Sequence, residues 1–333
     1  MGTLPQANGT VVRRRRRQRQ AEAPLGQRLR WRLEAWGVQL VLALLRGRRH
    51  GRVRRGLQRA MVLARPLLAG RIATASANLE RVYGAGLTAA ERQQLAAASL
   101  ESFFLACLES IIAPVEEAQI TVEGEGLEAL LNRPAGQAMI IGSLHLGCWD
   151  LGLRWLSHRL NDLAVIYRPA HNPQADALLQ AARRDNSRCH WISQFDPRSA
   201  LSWLRRGGSL VVMTDLYGRQ QPLLVDVLGL ETRFAAGPVA LSQKTGAPLF
   251  PVAHVREADG RFRLICGAPL QPGSGPDAAK RQAEALCRWQ EPWIQAYAGQ
   301  YYWINRRWRP GDGSGRRLRQ LPPPARAAAS QRA

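Results

Sequence analysis

The sequence contains no apolar run long enough to cross a bilayer as a helix. Its best candidate, residues 36–45, would be about 15 Å long as a helix, roughly half of a hydrocarbon core. A secretory signal peptide is not expected either, since the basic residues 13–17 are followed by polar residues. A short apolar helix between arginine clusters is typical of a helix lying in the membrane interface, with Trp36 as a membrane contact. A core helix is the alternative.

Cysteine is also scarce, and its distribution excludes two classes of small domain. The five cysteines are odd in number and widely spaced, and no C-x-x-C pair occurs. Neither a disulfide framework nor a zinc site is therefore predicted, and a reducing compartment fits. We expect no metal and no cofactor. Lysine occurs only twice against 45 arginines, which a GC-rich genome explains as well as selection for guanidinium chemistry.

Negative charge is sparse at the two ends of the chain. The formal net charge is +22, of which residues 1–60 carry +14 and residues 301–333 carry +7, so the body is close to neutral. Basic ends indicate nucleic acid, anionic lipid or an acidic protein as partner. A nucleic-acid-binding protein is the more distant alternative, because no zinc-finger, RRM or KH signature accompanies the charge. We expect no nucleic-acid partner.

The chain divides by composition into four parts. Residues 1–27 and 310–333 are predicted to be disordered basic ends, and residues 28–118 a helical region with a membrane-associating helix at about 31–45. From 119 to 309 short β-rich runs alternate with helical ones, which predicts an α/β fold with a mixed, largely parallel sheet flanked by helices. Strands are predicted at 138–141, 164–167, 190–192, 209–213, 224–228, 249–253 and 261–265, and helices near 149–160, 173–186, 198–206, 235–245 and 277–299.

A histidine and a carboxylate follow the first strongly apolar strand of this region. Residues 139–141 run into His145, and a helix is expected from about Gly147, with Asp150 in its first turn. Open α/β sheets bind ligands where their strands end. A carboxylate on one imidazole nitrogen fixes the tautomer and leaves the other nitrogen as a general base. The spacing alone is weak evidence, because a surface histidine near a helix-capping aspartate has the same pattern.

A hydrolase built on His145 is a competing hypothesis. It lacks a G-x-S-x-G nucleophile elbow, since leucine stands where that motif requires glycine. Cys148 is the remaining candidate nucleophile, but its position is expected to face into the helix. Acyl transfer without a covalent enzyme intermediate therefore ranks above it.

Several blocks, taken in order, resemble one family. Residues 143–150 resemble the H-x4-D/E motif of lysophospholipid acyltransferases, and the lipid A biosynthesis acyltransferase group is the best match. Further similar blocks lie at 77–79 with 91–92, at 167–169 with 172–173, at 204–215, at 234–248 and at 302–308. Their order and spacing make the resemblance more specific than any single block.

The resemblance implies roles for single residues. His145 would be the general base and Asp150 its partner, while Asp215, at a strand end, would share or replace Asp150. Arg168 would clamp a phosphate, with a salt bridge at the sheet edge as the alternative, and Arg219 is a weaker candidate for the same work.

The resemblance also implies a reaction, partners and a location. An acyl chain would pass from acyl carrier protein or acyl-CoA to a lipid A precursor or related glycolipid, at the cytoplasmic face of the bacterial inner membrane. Anionic lipid would be a further partner. Leu216 and Tyr217 depart from the family's pattern after Asp215, so a lysophospholipid or another glycolipid stays open as acceptor.

Aromatic residues near the basic C-terminal end are candidates for membrane contact. Trp289, Trp293, Tyr297 and Tyr301 recur every four residues and share a helix face, which is typical of either a membrane interface or a core. Trp303 and Trp308 lie closest to the arginines and are predicted to contact the membrane.

Overall fold

The computed structural model describes residues 23–45, 48, 50–109, 119–308 and 315–324. Four long helices come first: α1 Leu25–Leu45, α2 His50–Leu63, α3 Arg65–Tyr83 and α4 Ala89–Glu109. A capping box begins α4. The Thr88 hydroxyl accepts from the Glu91 amide at 3.2 Å, and the Glu91 carboxylate accepts from the Thr88 amide at 2.9 Å. Most of the predicted disordered arm, residues 1–22, lies outside the described residues, and the rest of it includes the start of α1.

Seven strands form the main sheet, in the order β1-β9-β8-β2-β5-β3-β4. All neighbouring pairs are parallel except β8 with β9. The predicted fold class is therefore confirmed. The strands are β1 Ile120–Glu123, β2 Met139–Ser143, β3 Leu163–Tyr167, β4 His190–Ser193, β5 Ser209–Met213, β8 Leu249–Arg256 and β9 Phe262–Cys266.

A separate antiparallel hairpin contains the strand expected at 224–228. Its strands are β6 Leu223–Val227 and β7 Leu230–Phe234. Both linking residues have positive φ, 53° at Leu228 and 73° at Gly229, which is the conformation of a type I′ hairpin turn. Strands β1 and β7 were not predicted from the sequence, because each is short and lacks a purely apolar run.

Helices cover both faces of the sheet, and five of them follow the predicted positions within two or three residues. Asn172 caps α7 by accepting hydrogen bonds from the amides of Gln174 and Ala175, with Pro173 in the first turn. The helices are α5 Leu127–Leu131, α6 Trp149–Arg159, α7 Pro173–Asn186, α8 Pro197–Arg205, α9 Gly237–Thr245 and α10 Ala278–Ala296.

Helix α1 packs on α7 with one face only. Its buried residues are Trp31 and Ala35, and the Asn172 amide donates to the Trp31 carbonyl at 2.9 Å and to Glu34 at 3.0 Å. Apolar residues three or four positions apart share another face, which is exposed: Leu25, Leu29, Leu33, Trp36, Leu40 and Leu44. Among the described helices, none combines the length and hydropathy that a bilayer crossing requires.

The segment after α10 runs into the core, which corrects two expected membrane contacts. Trp303 and Trp308 are 0% and 1% exposed, and their rings stack with centroids 5.7 Å apart. Trp303 also packs edge-on against Tyr83, and its indole N–H donates to the Ala298 carbonyl at 2.8 Å. Neither indole therefore reaches a membrane. Burial here removes two large rings from water and satisfies one ring nitrogen.

The predicted disordered tail from residue 310 is wrong for residues 315–324. The Leu318 amide donates to the Gly229 carbonyl at 2.8 Å, and Leu321 is buried. Arg319 forms ion pairs with Asp226 of β6 and Glu291 of α10. This arginine-rich segment is therefore ordered by ion pairs with carboxylates of the α/β region. Residues 309–314 and 325–333 lie outside the described residues.

Candidate active site

His145 lies just beyond the carboxyl end of β2, in the loop that leads into α6. Gly147 lets the chain turn there: its φ is +59°, and a Cβ at this position would lie 2.3 Å from the His254 carbonyl oxygen. The closing segment holds the loop from the other side, because the Tyr302 amide donates to the His145 carbonyl at 3.0 Å. The backbone on both sides thus fixes where the imidazole can point.

Asp215 reaches His145 from the neighbouring strand. In the register of β2 and β5, Ser143 pairs with Met213, so both residues stand two positions past paired strand ends. One carboxylate oxygen lies 2.8 Å from His145 Nδ1, and the other accepts from the His145 amide at 2.9 Å. A carboxylate only accepts, so Nδ1 carries the proton and Nε2 is left to take one.

The charge on Asp215 is stabilised although the side chain is only 1% exposed. Burial by itself raises the pKa of this carboxyl group. The charge and hydrogen bonds of His145 and the charge of Arg307 act against burial and bring the pKa below its usual value. Asp215 is therefore an ionised partner for the imidazole at neutral pH.

Asp150 occupies the first turn of α6, as predicted, but its carboxylate is directed towards α7. Its Oδ2 lies 3.7 Å from the Arg183 guanidinium, and the residue is 8% exposed. Among the described residues, Asp215 is the carboxylate that hydrogen-bonds to the His145 ring. The choice that the sequence left open between the two acids is resolved geometrically in favour of Asp215. A catalytic role for Asp150 stays a prediction.

Aromatic rings that the sequence analysis did not single out surround the imidazole. The Trp149 and Tyr302 rings lie 5.2 and 5.3 Å from the His145 ring, centroid to centroid. Phe103 of α4 stacks on Tyr302 at 4.5 Å and contacts Trp149 at 5.8 Å. The cluster is apolar and flanks the base, so it limits water near the ring. Tyr302 could have been predicted as a site residue from its position in the aromatic block at 302–308, whereas no sequence feature pointed to Phe103.

Two arginines proposed as anion clamps are exposed. Arg168 follows β3, which is separated from β2 by β5, about 9.5 Å between strand axes. Arg219 follows Asp215 by four residues. Within the part of the chain that the structure describes, neither side chain has an ion pair, so the salt-bridge alternative for Arg168 is not observed. Both residues are exposed to solvent.

Cys148 is placed as a core residue and not as a nucleophile. Its thiol donates to the Val255 carbonyl at 3.4 Å, and the side chain is buried. Burial raises the pKa of the thiol well above its usual value. Across the described residues, no three His, Cys, Asp or Glu side chains are grouped so that they could hold a metal ion.

Comparison with known proteins gave one match to a family. The model of the bacterial lipid A biosynthesis acyltransferase family matches residues 28–310, which include the helical N-terminal region and the α/β region with its site. A search of curated proteins found no match.

Proposed function

The chain belongs to the bacterial lipid A biosynthesis acyltransferase family and is an acyltransferase; from that premise we propose a direct transfer with His145 as general base. A fatty acyl chain passes from an acyl thioester to a hydroxyl of a lipid A precursor or related glycolipid. The observation that supports this most is the pairing of Nδ1 with Asp215 at 2.8 Å. It leaves Nε2 as an unprotonated base at the carboxyl edge of the sheet.

The reaction needs one proton carrier. Nε2 takes the proton of the acceptor hydroxyl as its oxygen attacks the thioester carbonyl carbon. The C–O bond forms, the tetrahedral intermediate collapses, and the C–S bond breaks. The leaving sulfur takes this proton from the imidazolium. Because the acceptor oxygen attacks the thioester directly, no acyl group is attached to the enzyme. The N-terminus of α6, which begins at Trp149 beside His145, supplies a positive dipole end for the developing oxyanion.

Acyl carrier protein is the donor that we propose, with acyl-CoA as the alternative. Both donors are anionic, and this chain carries a net charge of +22. Exposed arginines at the carboxyl edge, Arg168 and Arg219 among them, attract an acidic carrier or a phosphate of the acceptor. A lysophospholipid is a second acceptor class that the same guanidinium groups would bind.

We also propose that α1 holds the enzyme on the cytoplasmic face of the inner membrane. Its exposed apolar face includes Trp36, 75% exposed, and Leu33, 69% exposed. Arg28 and Arg32 are exposed on the same helix, near enough to reach anionic headgroups. Because α7 anchors α1 through Asn172, four residues after Arg168, the membrane surface would lie close to the site.

His145→Ala tests the reaction. We expect the rate of transfer from acyl carrier protein to a purified lipid A precursor to fall about 10³-fold or more, because the proton acceptor is lost. His158→Ala is the matched control, since His158 is exposed on α6 and remote from the strand edge. Circular dichroism checks that both variants fold. Transfer by folded His145→Ala within tenfold of the parent would contradict the proposal. Mass spectrometry of the product lipid identifies acceptor and chain.

Trp36→Glu with Leu40→Glu tests the membrane proposal. Two charges on the apolar face of α1 should lower binding to vesicles containing anionic lipid about tenfold or more, because each removes apolar contact. Leu318→Glu, at an exposed position beside the β6–β7 hairpin, is the control. Vesicle sedimentation measures binding. Unchanged binding by the double variant would move the membrane contact away from α1.

A further inference from the structure

Arg307 is a buried arginine that forms no ion pair with any described residue. It is 2% exposed and lies in the segment after α10. Its Nη1 donates to the Tyr301 hydroxyl at 3.0 Å, while Nε and Nη2 have no hydrogen-bond partner among the described residues. No described carboxylate lies within 4.0 Å of it. Burial of a guanidinium is unfavourable unless other groups compensate its charge.

A second buried arginine shows what full compensation looks like. Arg256 of β8 donates to both oxygens of Glu109 at 2.7 Å and to the Ser102 hydroxyl at 2.8 Å. That arginine and its carboxylate form a complete pair joining β8 to α4. Arg307 has one neutral partner instead, so its charge must be balanced over a longer distance.

Among the titratable groups that act most strongly on Arg307, one is a carboxylate. Tyr301 and Cys287 face it, from the closing segment and from α10, and burial raises the pKa of both, that of Cys287 to about 11. Both are therefore neutral at physiological pH. Asp226, Glu284 and Glu291 act on Cys287, and Asp226 and Glu291 are paired with Arg319. Asp215 raises the pKa of Arg307 itself, and Arg307 lowers the pKa of Asp215 in turn. The other titratable groups facing Asp215 are His145, Tyr301 and Tyr302.

The backbone holds this arrangement in place. The side-chain amide of Asn305 donates to the Asp215 carbonyl at 3.4 Å, and the Arg307 amide donates to the Asn305 carbonyl at 2.8 Å. The turn that carries Arg307 is thereby tied to the end of β5. Because the guanidinium is buried, it acts on the reaction through its neighbours, and of these Asp215 is the one that hydrogen-bonds to His145.

We propose that Arg307 is the fixed counter-charge of Asp215, a positioning residue that keeps the carboxylate ionised against its burial. The inference rests on the proposed base mechanism and adds the group that sets its working pH range. Because Arg307 and Asp215 are both buried, the cation acts on the carboxylate through a lower dielectric than that of water. With Arg307 in place, Asp215 keeps its negative charge to lower pH, and the hydrogen bond that it accepts from His145 Nδ1 persists with it.

The pH dependence of kcat/KM tests this. Loss of the cation raises the pKa of Asp215, so the ionised carboxylate, and with it activity, is lost at higher pH than in the parent. We expect Arg307→Met and Arg307→Gln to move the acidic limb upwards by about one pH unit or more. Arg307→Lys should restore it to within about 0.3 unit, since the charge returns. A limb unmoved in folded Arg307→Met, or moved equally in Arg307→Lys, overturns the proposal.

A matched control and a stability measurement separate tuning from folding. Arg256→Met should lower Tm through the loss of the Glu109 pair yet leave the acidic limb in place. The double variant Asp215→Asn with Arg307→Met should be more thermostable than Arg307→Met alone, because neither charge is then buried uncompensated. Where Arg307→Met does not fold, folding of the double variant supports the proposal and its failure overturns it. This measurement does not depend on catalysis, so it stands even if His145 proves not to be the base.

Discussion

The first turn of α6 and the end of β5 each present a buried aspartate near His145, with different results. Asp150 follows the histidine by five residues, and its carboxylate pairs with Arg183 of α7 at 3.7 Å. Asp215 follows by seventy residues and makes two hydrogen bonds to the histidine. In a parallel sheet, neighbouring strand ends meet at one edge. Closeness along the chain is therefore a poorer guide to the partner than adjacency in the sheet.

The surroundings of the two acids also favour Asp215 as the partner of His145. Asp215 is almost fully enclosed, and its neighbours His145 and Arg307 favour its charge. Asp150 joins two helices through Arg183, whose guanidinium also lies over the Trp191 ring at 5.1 Å from its centroid. We infer that Asp215 acts on the imidazole and that Asp150 fixes the direction of α6. Variants of the two acids should separate these roles.

Asp215→Asn should cause the largest loss of the two. An amide donates as well as accepts, so it no longer requires the proton to sit on Nδ1, and it does not stabilise the imidazolium. We expect kcat to fall about 10³-fold with KM for the acyl donor nearly unchanged, measured with acyl carrier protein thioester and a glycolipid acceptor. The fold should persist with a lower Tm, because asparagine keeps the shape of the side chain while buried Arg307 loses its counter-charge.

The activity of Asp215→Asn distinguishes the two aspartates only if the variant keeps its fold. A cooperative thermal transition and an intact circular dichroism spectrum establish that. A folded Asp215→Asn variant with more than a tenth of the parent kcat would show that Asp215 only positions the loop. Asp150 would then return as the catalytic partner.

The fold could be predicted largely from the sequence, because its signals are local. Apolar runs and the capping residues around them gave most strands and helices within a few residues. The short strands β1 and β7 were missed for lack of such runs. The order of strands is not a local property: β5 lies between β2 and β3, and no periodicity records that. For this reason both aspartates could be named, but the choice between them required the structure.

The errors near the C-terminal end have a related cause. Trp303 and Trp308 stand beside arginines, and aromatic residues next to arginines are typical of membrane contacts. Here Arg307 is buried with them and donates to Tyr301. Likewise Arg316 and Arg319 pair with acids contributed by β6, β7 and α10. Charge in the sequence does not reveal whether its partner is solvent, a membrane or the protein itself.

Asp150→Asn should have the smaller effect. The substitution removes the charge that faces Arg183 but leaves the hydrogen bonds of His145 unchanged, so we expect kcat to fall tenfold or less and Tm to fall by a few degrees. Activity assays and thermal unfolding under the same conditions as for Asp215→Asn give the comparison. A loss of kcat as large as that of Asp215→Asn would contradict the structural role.

Arg183→Met completes the test of Asp150, since it removes the other member of the pair. If Asp150 acts by joining α6 to α7, the double variant Asp150→Asn with Arg183→Met should be no less stable than Arg183→Met alone, because each single substitution already breaks the ion pair. If Asp150 acts on His145 instead, Arg183→Met should leave kcat near the parent value while Asp150→Asn does not, and the two effects on kcat should be independent.

A buried carboxylate that pairs with a partly exposed guanidinium contributes modestly to stability, so the coupling in Tm should be small but measurable. The effects on kcat then decide whether Asp150, in the first turn of α6, or Asp215, after β5, is the catalytic partner of His145.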